Sequence, residues 1–374
     1  MFSNEEQEQY SRQIRLEGFG IEAQEKLKNS RVLVIGAGAL GCPVLQYLAG
    51  AGVGKIGIVD GDKVELSNLH RQILYSKNDL GKYKAERACT KLAESNSTIE
   101  IEFFTTFLSS ENAFNIAKNY EIIIDGTDNF PTRYLVNDFC VLANKINIHG
   151  SIQGFSGQVS VFNLPNIDGS RSPNYRDLFP VPPNPDEVVS CAEGGVIGAL
   201  PGIIGSLMAM ECIKIITEIG EVLKGKLLHY NSLNHQMQML NFTFDNDNPL
   251  RGNPPIQNTL VDYQQFCGIK KTKLMLDITV AELQALKDTN EDFQLIDVRE
   301  ISEYQDANMG GHLIPLNEIP KRYSEINRDK KVIVHCKMGG RSANAIQYLA
   351  QNHDFDNLYN LKGGILAWLA ENKK

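Results

Sequence analysis

The stretch RVLVIGAGALG, residues 31–41, decides the fold. A short apolar run ends in glycines at 36, 38 and 41 and leads into helix-forming sequence from about Ala39. Strand, G-x-G-x-x-G loop and helix in that order make half of a βαβ unit. The glycines let the backbone approach a phosphate, and the N-terminus of the helix favours its charge. Asp60 ends the next apolar run, KIGIVD, about twenty residues later, where a carboxylate can hold a ribose hydroxyl. Taken alone, Gly36, Gly38, Gly41 and Asp60 imply a nucleotide, with NAD as the default and a ligand-free tight turn as the plain alternative.

On either side of this stretch, strand-like and helix-like segments alternate through residue 150, which predicts parallel strands joined by crossover helices. QVSVFNL (158–164) and parts of 225–242 then alternate with period two, as antiparallel strands added at one side would. A first domain over 1–245 is expected. Residues 246–273, rich in Pro and Asn at their start, are expected to be a linker. A second small α/β domain is expected over 274–374, where FQLID, VIVHC and NLYNL alternate with helical segments.

Hydrophobic residues at 42% and charged residues at 22% are the proportions of a folded globular chain, which excludes wholesale disorder. A net charge of −8 argues against a broad nucleic-acid surface. The N-terminus MFSNEEQEQYSRQ is acidic and polar where a secretory signal would be basic and then apolar, so a cytoplasmic location is expected. Seven scattered cysteines with no Cys-x-x-Cys pair argue against a disulfide framework. The apolar stretch 196–210 contains Pro201 and runs into Glu211 and Lys214, which favours a buried or subunit-contact helix over a membrane span.

Further motifs separate ATP from NAD. Arg71 in SNLHRQ (67–72) and Lys84 in GKYKAE (81–86) supply cations in the same βαβ region, as a triphosphate losing pyrophosphate requires. DGTDNF (125–130) puts Asp125 and Asp128 at the C-terminal end of a strand, where one carboxylate and phosphate oxygens can bind Mg²⁺. Singly, each charge is more often a solvated surface residue. Together with IGAGALGCP, VDGDKVELSNLHRQ and 190–214, these motifs resemble the MoeB/ThiF group of ubiquitin-activating-type adenylyltransferases over about the first 245 residues.

The resemblance implies a homodimer that binds ATP and Mg²⁺ and adenylates the C-terminal glycine of a ubiquitin-like sulfur carrier protein of the MoaD or ThiS type. By motif it places Gly36, Gly38, Ala39 and Gly41 along the nucleotide, Asp60 on the ribose, and Asn68, Arg71 and Lys84 on the phosphates. Asp128 falls on the metal, with Ser67, Gln72 and Asn129 in the same site. Arg12, in YSRQIRL, matches an arginine that reaches the ATP of the partner subunit. Many members of the group hold a zinc with two Cys-x-x-Cys pairs. Here those places read NYRD (Asn174, Asp177) and QQFC (Gln264, Cys267), so no zinc is expected. The proline-rich loop 173–185 is expected to hold its shape through restricted φ angles instead. Cys191, in SCAEGG, matches a cysteine that some relatives use covalently; otherwise it is an inert loop residue.

In VIVHCKMGGRSA, residues 332–343, a buried strand again ends in a turn into a helix, and that turn gathers backbone N–H groups around Cys336. Such a field favours the thiolate. Four residues separate Cys336 from Arg341, one fewer than in tyrosine-phosphatase-type loops, and the smaller cradle suits the outer sulfur of a persulfide. With LIDVRE (295–300) and LKGGILAW (361–368), residues 274–374 resemble a single-domain rhodanese, although 304–316 is irregular beside the usual text. The two resemblances together imply one pathway: carrier adenylation, attack by a Cys336 persulfide, and thiocarboxylate release with help from Cys191. A cysteine desulfurase or thiosulfate would supply the sulfur. Molybdopterin synthesis is the expected setting, with thiamine synthesis or tRNA thiolation as alternatives. An NAD(P) oxidoreductase would leave Arg71, Lys84 and Cys336 idle, and intact Asp128 and Cys336 weigh against a non-catalytic scaffold that binds a ubiquitin-like partner.

Overall fold

The computed structural model describes residues 2–183, 195–252, 254–268, 276–353 and 355–371. The chain divides into two compact units, Met1–Gly268 and Ile269–Lys374.

In the first unit, β1 (Arg31–Ile35) has four consecutive buried residues because it lies inside the sheet with both faces covered. Each such Val, Leu or Ile contributes about 1.5–3 kcal/mol through burial. β2 (Lys55–Val59), β3 (Glu100–Phe104), β4 (Ile122–Asp125) and β5 (Ile146–Gln153) complete the parallel part. β6 (Ser156–Phe162), β7 (Lys226–Asn231) and β8 (Gln236–Asn241) are antiparallel additions, in the order β3-β2-β1-β4-β5-β6-β7-β8. The order reverses between β1 and β4, so the loops after these strands diverge and leave a crevice at their C-terminal ends. The Gly41–Ala51 helix follows β1, and Asn129 caps the Phe130–Leu142 helix after β4 by accepting the Thr132 N–H at 2.9 Å.

The apolar stretch 196–210 lies mostly within the Ala199–Thr217 helix, which is long and apolar enough by composition to cross a membrane. It instead buries Leu200, Ile204, Met208 and Cys212 in the core of this unit. Gly150 and Gly157 admit it closely: a Cβ on Gly157 would sit 2.3 Å from Ile204 Cγ1.

Residues 246–268, expected as part of a linker, belong to the first unit. Tyr263 is buried, and the Phe266 ring meets Tyr134 of the Phe130–Leu142 helix edge-on at 5.2 Å. The polar composition that reads as a linker supplies hydrogen-bond partners for buried carboxylates.

The second unit is a five-stranded parallel sheet in the order β11-β10-β12-β13-β9, from β9 (Leu276–Ile278), β10 (Phe293–Asp297), β11 (His312–Leu313), β12 (Lys331–His335) and β13 (Leu358–Leu361). Central β12 is buried from Val332 onward and delivers Cys336 to the turn before the Gly340–His353 helix.

Candidate active sites

The crevice between β1 and β4 is lined by Gly36, Gly38, Ala39, Asp60, Arg71, Gln72, Lys84, Asp128 and Asn129, as the motifs imply. Gly36 has φ +90°, and a Cβ there would lie 3.1 Å from the Gly126 carbonyl oxygen. Gly41 does not line the crevice. It starts the helix so close to Gly36 that a Cβ would lie 2.0 Å from the Gly36 oxygen. Both carboxylate oxygens of Asp60 accept backbone N–H groups, from Ala37 and Asp62, each at 2.8 Å. Burial pushes the Asp60 carboxyl up, against the pull of Lys84 and these N–H groups.

Lys84 is buried, and its Nζ donates to Asp62 Oδ2 at 2.9 Å. Asn68 is also buried, but it works through the backbone: its carbonyl accepts the N–H groups of Arg71 and Gln72, at 3.0 and 2.9 Å, which sets both side chains at the crevice. Ser67 is exposed and offers its carbonyl to Arg71 Nη1 at 2.9 Å. Asp125 points away from the crevice. Wholly buried, it accepts from Thr127 and faces His149 Nδ1 at 3.2 Å, so it orders the loop that presents Asp128 at the rim. Arg12 is exposed and does not line this crevice. Cys191 lies outside the described residues.

Sequence reasoning passed over Asp62 and Arg133, which also line the crevice. Arg133 sits one helical turn after Asn129 in NFPTR, a spacing that could have flagged it. Its buried Nε and the buried Oε1 of Gln72 lack hydrogen-bond partners. A donor and an acceptor left open at a glycine-walled crevice fit a nucleotide. For a divalent cation, Asp128 is the exposed carboxylate on the β4 side. Among the described residues no group of three or more His, Cys, Asp or Glu could hold a metal alone. That arrangement fits Mg²⁺, which takes one or two carboxylates and completes its shell with phosphate oxygens and water.

In the second unit, Cys336 Sγ accepts the Gly339 N–H at 3.1 Å and lies 3.5 Å from Ser342 Oγ. Burial works to raise the thiol pKa, but the Ser342 hydroxyl and the backbone N–H groups of Ser342, Met338 and Gly339 outweigh it and hold the thiol below its ordinary value. Ser342 is anchored by Asn360 Oδ1 at 2.7 Å, and Asn360 Nδ2 in turn reaches Asp277 at 3.0 Å. The loop can therefore carry a nucleophilic sulfur anion.

Residues 10–250 match the ThiF family. The chain belongs to the ThiF family. Residues 279–371 match the rhodanese-like domain. The chain is 43% identical over 374 residues to the probable adenylyltransferase/sulfurtransferase MoeZ of Mycobacterium tuberculosis, covering 98% of this chain and 93% of that one. It is 38% identical over 384 residues to adenylyltransferase and sulfurtransferase MOCS3 of Drosophila yakuba, covering 98% and 83%. The sulfur carrier protein adenylyltransferase of Thermus thermophilus is 48% identical over 269 residues, covering 72% of this chain and 99% of that one. A crystal structure of E. coli MccB with ATP shares the fold, at TM-score 0.53 and 24% identity over 62% of this chain and 69% of that one. This ThiF-family chain is an adenylyltransferase with a rhodanese sulfurtransferase domain.

The four positions at which the resemblance would place zinc thiolates do different work here. Asn174 Oδ1 caps a helical turn by accepting the Arg176 N–H at 3.0 Å. Asp177 takes Arg251 on both oxygens, at 2.9 and 3.2 Å, and the Asn248 amide at 2.9 Å. Gln264 is exposed and Cys267 is buried. One thiol with amides and a saturated carboxylate does not fit a tetrahedral zinc. Asp138, buried beside them, binds Arg176 at 2.8 and 2.6 Å, the Tyr263 hydroxyl at 2.7 Å and Gln257 at 2.9 Å. Among the described residues of the proline-rich loop, Asn174, Arg176 and Asp177 are held by this network.

Proposed function

We propose that this enzyme adenylates the C-terminal glycine of a ubiquitin-like sulfur carrier protein and then places sulfur on it from a Cys336 persulfide. One observation carries the reading: the same chain holds a nucleotide crevice with uncommitted polar groups and a thiol whose pKa is lowered by backbone donors. A carrier carboxylate oxygen attacks the α-phosphorus of ATP, pyrophosphate leaves with the bonding electrons, and an acyl-adenylate remains. Like-charge repulsion opposes that approach, and Arg71, Lys84 and Arg12 of the partner subunit in a homodimer offset it. Asp128 would hold Mg²⁺, which would supply Lewis-acid stabilisation of the phosphates. Gln72 and Asn129 border the nucleotide, and Asp60 faces the ribose.

The terminal sulfur of the Cys336 persulfide attacks the acyl carbon and AMP leaves, giving an acyl disulfide. A second thiol, assigned to Cys191, attacks the Cys336 sulfur and releases the thiocarboxylate; two equivalents of an external thiol then reduce the resulting disulfide and leave as their own disulfide. Molybdopterin synthesis in the cytosol is the favoured setting, ahead of thiamine synthesis and tRNA thiolation, with a cysteine desulfurase or thiosulfate as donor. The reading is tested by incubating candidate carriers with the enzyme, ATP and a sulfur donor and weighing them intact. The matching carrier gains the mass difference of sulfur replacing oxygen. Cys336→Ala gives AMP-carrier without thiocarboxylate; an equal thiocarboxylate yield from that variant would reject the persulfide step.

A further inference from the structure

Both terminal nitrogens of Arg341, the one arginine in the Cys336 loop, are already engaged. Nη1 donates to Glu303 Oε2 at 2.6 Å and Nη2 to Glu303 Oε1 at 2.7 Å, a two-point fork on a single carboxylate. Glu303 is fixed in turn. Its Oε2 accepts the Glu300 N–H at 3.2 Å, and its backbone carbonyl accepts Arg299 Nη1 at 3.0 Å, while Arg299 is tied to buried Asp297. Arg341 holds the Glu303 carboxyl far down, at about 2, so the carboxylate is ionised throughout the working range. The pair lies at the rim, its side chains about one-third exposed. Its two unit charges cancel at the entrance to Cys336. Lys337 is exposed, and Met338, at 71% exposure, presents an apolar tip beside it.

A small sulfur-bearing dianion such as thiosulfate is held best where cations converge; with Glu303 on it Arg341 adds none, which leaves Lys337 as the exposed cation of the loop. A monoanionic persulfide on another protein needs less charge and can use the exposed loop tip. We infer that Glu303 is a specificity-determining residue: by occupying and neutralising Arg341 it turns the Cys336 loop away from small dianionic sulfur donors and toward persulfides carried on a protein. This rests on the proposed role of Cys336 as sulfur acceptor.

The test uses the full chain and reads the rate of Cys336 alkylation, by peptide mass, with anionic iodoacetate and neutral iodoacetamide. Their ratio cancels the thiolate fraction and reports the charge at the entrance. Glu303→Gln keeps the shape and removes the charge. The ratio should rise about three- to fivefold at low salt and fall back at high salt, as for a partly exposed charge. KM for thiosulfate should fall by a similar factor, with a smaller change in kcat. An unchanged ratio in folded Glu303→Gln would overturn the inference. If that variant does not fold, Glu303→Gln combined with Arg341→Gln serves, because removing both charges should restore the native ratio within about twofold. A ratio well below native in the double variant would mean that Arg341 already attracts anions, and would also overturn it. An altered ratio in an enzyme that never loads persulfide would keep the charge effect of Glu303 and reject the sulfur-acceptor role of Cys336.

Discussion

Lys84 Nζ lies 2.9 Å from Asp62 Oδ2, yet the lysine side chain is 7% exposed and the aspartate 56%. The cation is held inside the crevice by a partner that reaches in from solvent. A triphosphate entering the crevice would take over the hydrogen bond that Asp62 now accepts. Lys84→Met should therefore cut carrier-dependent exchange of pyrophosphate into ATP by about a hundredfold or more, the usual loss when one donor to developing charge is removed. Asp62→Asn should tighten ATP binding severalfold by calorimetry, because the competing acceptor loses its charge.

Asp128 stands exposed at the end of the loop that buried Asp125 orders. Asp128→Ala should abolish pyrophosphate exchange while leaving the thermal midpoint of the ligand-free protein nearly unchanged, since no folded-state contact is lost. An exchange rate that survives would remove Asp128 from the metal site.

For Cys336 the sign of the pH effect follows from its lowered pKa. Alkylation with iodoacetamide should rise with pH through an inflection below the ordinary thiol value. Ser342→Ala removes one of the groups that lower it, so the inflection should move up and the rate at neutral pH should drop. The other described cysteines whose pKa is shifted, such as Cys42, pushed up to about 12 by burial, should stay unlabelled in that range.

The Glu303–Arg341 pair makes a second pH prediction. Because the folded carboxyl titrates at about 2 against an ordinary 4.5, its stabilising contribution is complete above pH 4.5 and fades as pH falls toward 2. The difference in thermal midpoint between wild type and Glu303→Gln should shrink across that window and be constant above it.

Asp138 is buried and carries five donor contacts, from Arg176 twice, Asn137, Tyr263 and Gln257. Removing it strands a buried guanidinium, and Asp138→Ala should cost about 3–5 kcal/mol by chemical denaturation. Dialysis against a strong chelator should leave the midpoint of the wild-type protein where it was.

The parallel sheet and its crevice are legible in the sequence because RVLVIG, KIGIVD and EIIID are apolar runs with glycines and carboxylates at one end, and period and punctuation survive without tertiary knowledge. Lys84, Arg71 and Asp128 are legible for the same reason. Arg133 is not, since an arginine in a helix between Thr132 and Tyr134 looks like any solvated residue until packing buries it. The segment 246–268 misleads because its polarity resembles a linker, while its partners, Asp138 and Asp177, lie far off in sequence. Arg341 is legible as an arginine of the loop, but its charge is set by Glu303, which nothing local announces.

Gly41 and Gly36 touch so closely that even one methyl group between them is forbidden. The loop therefore has no evolutionary route through alanine at position 41.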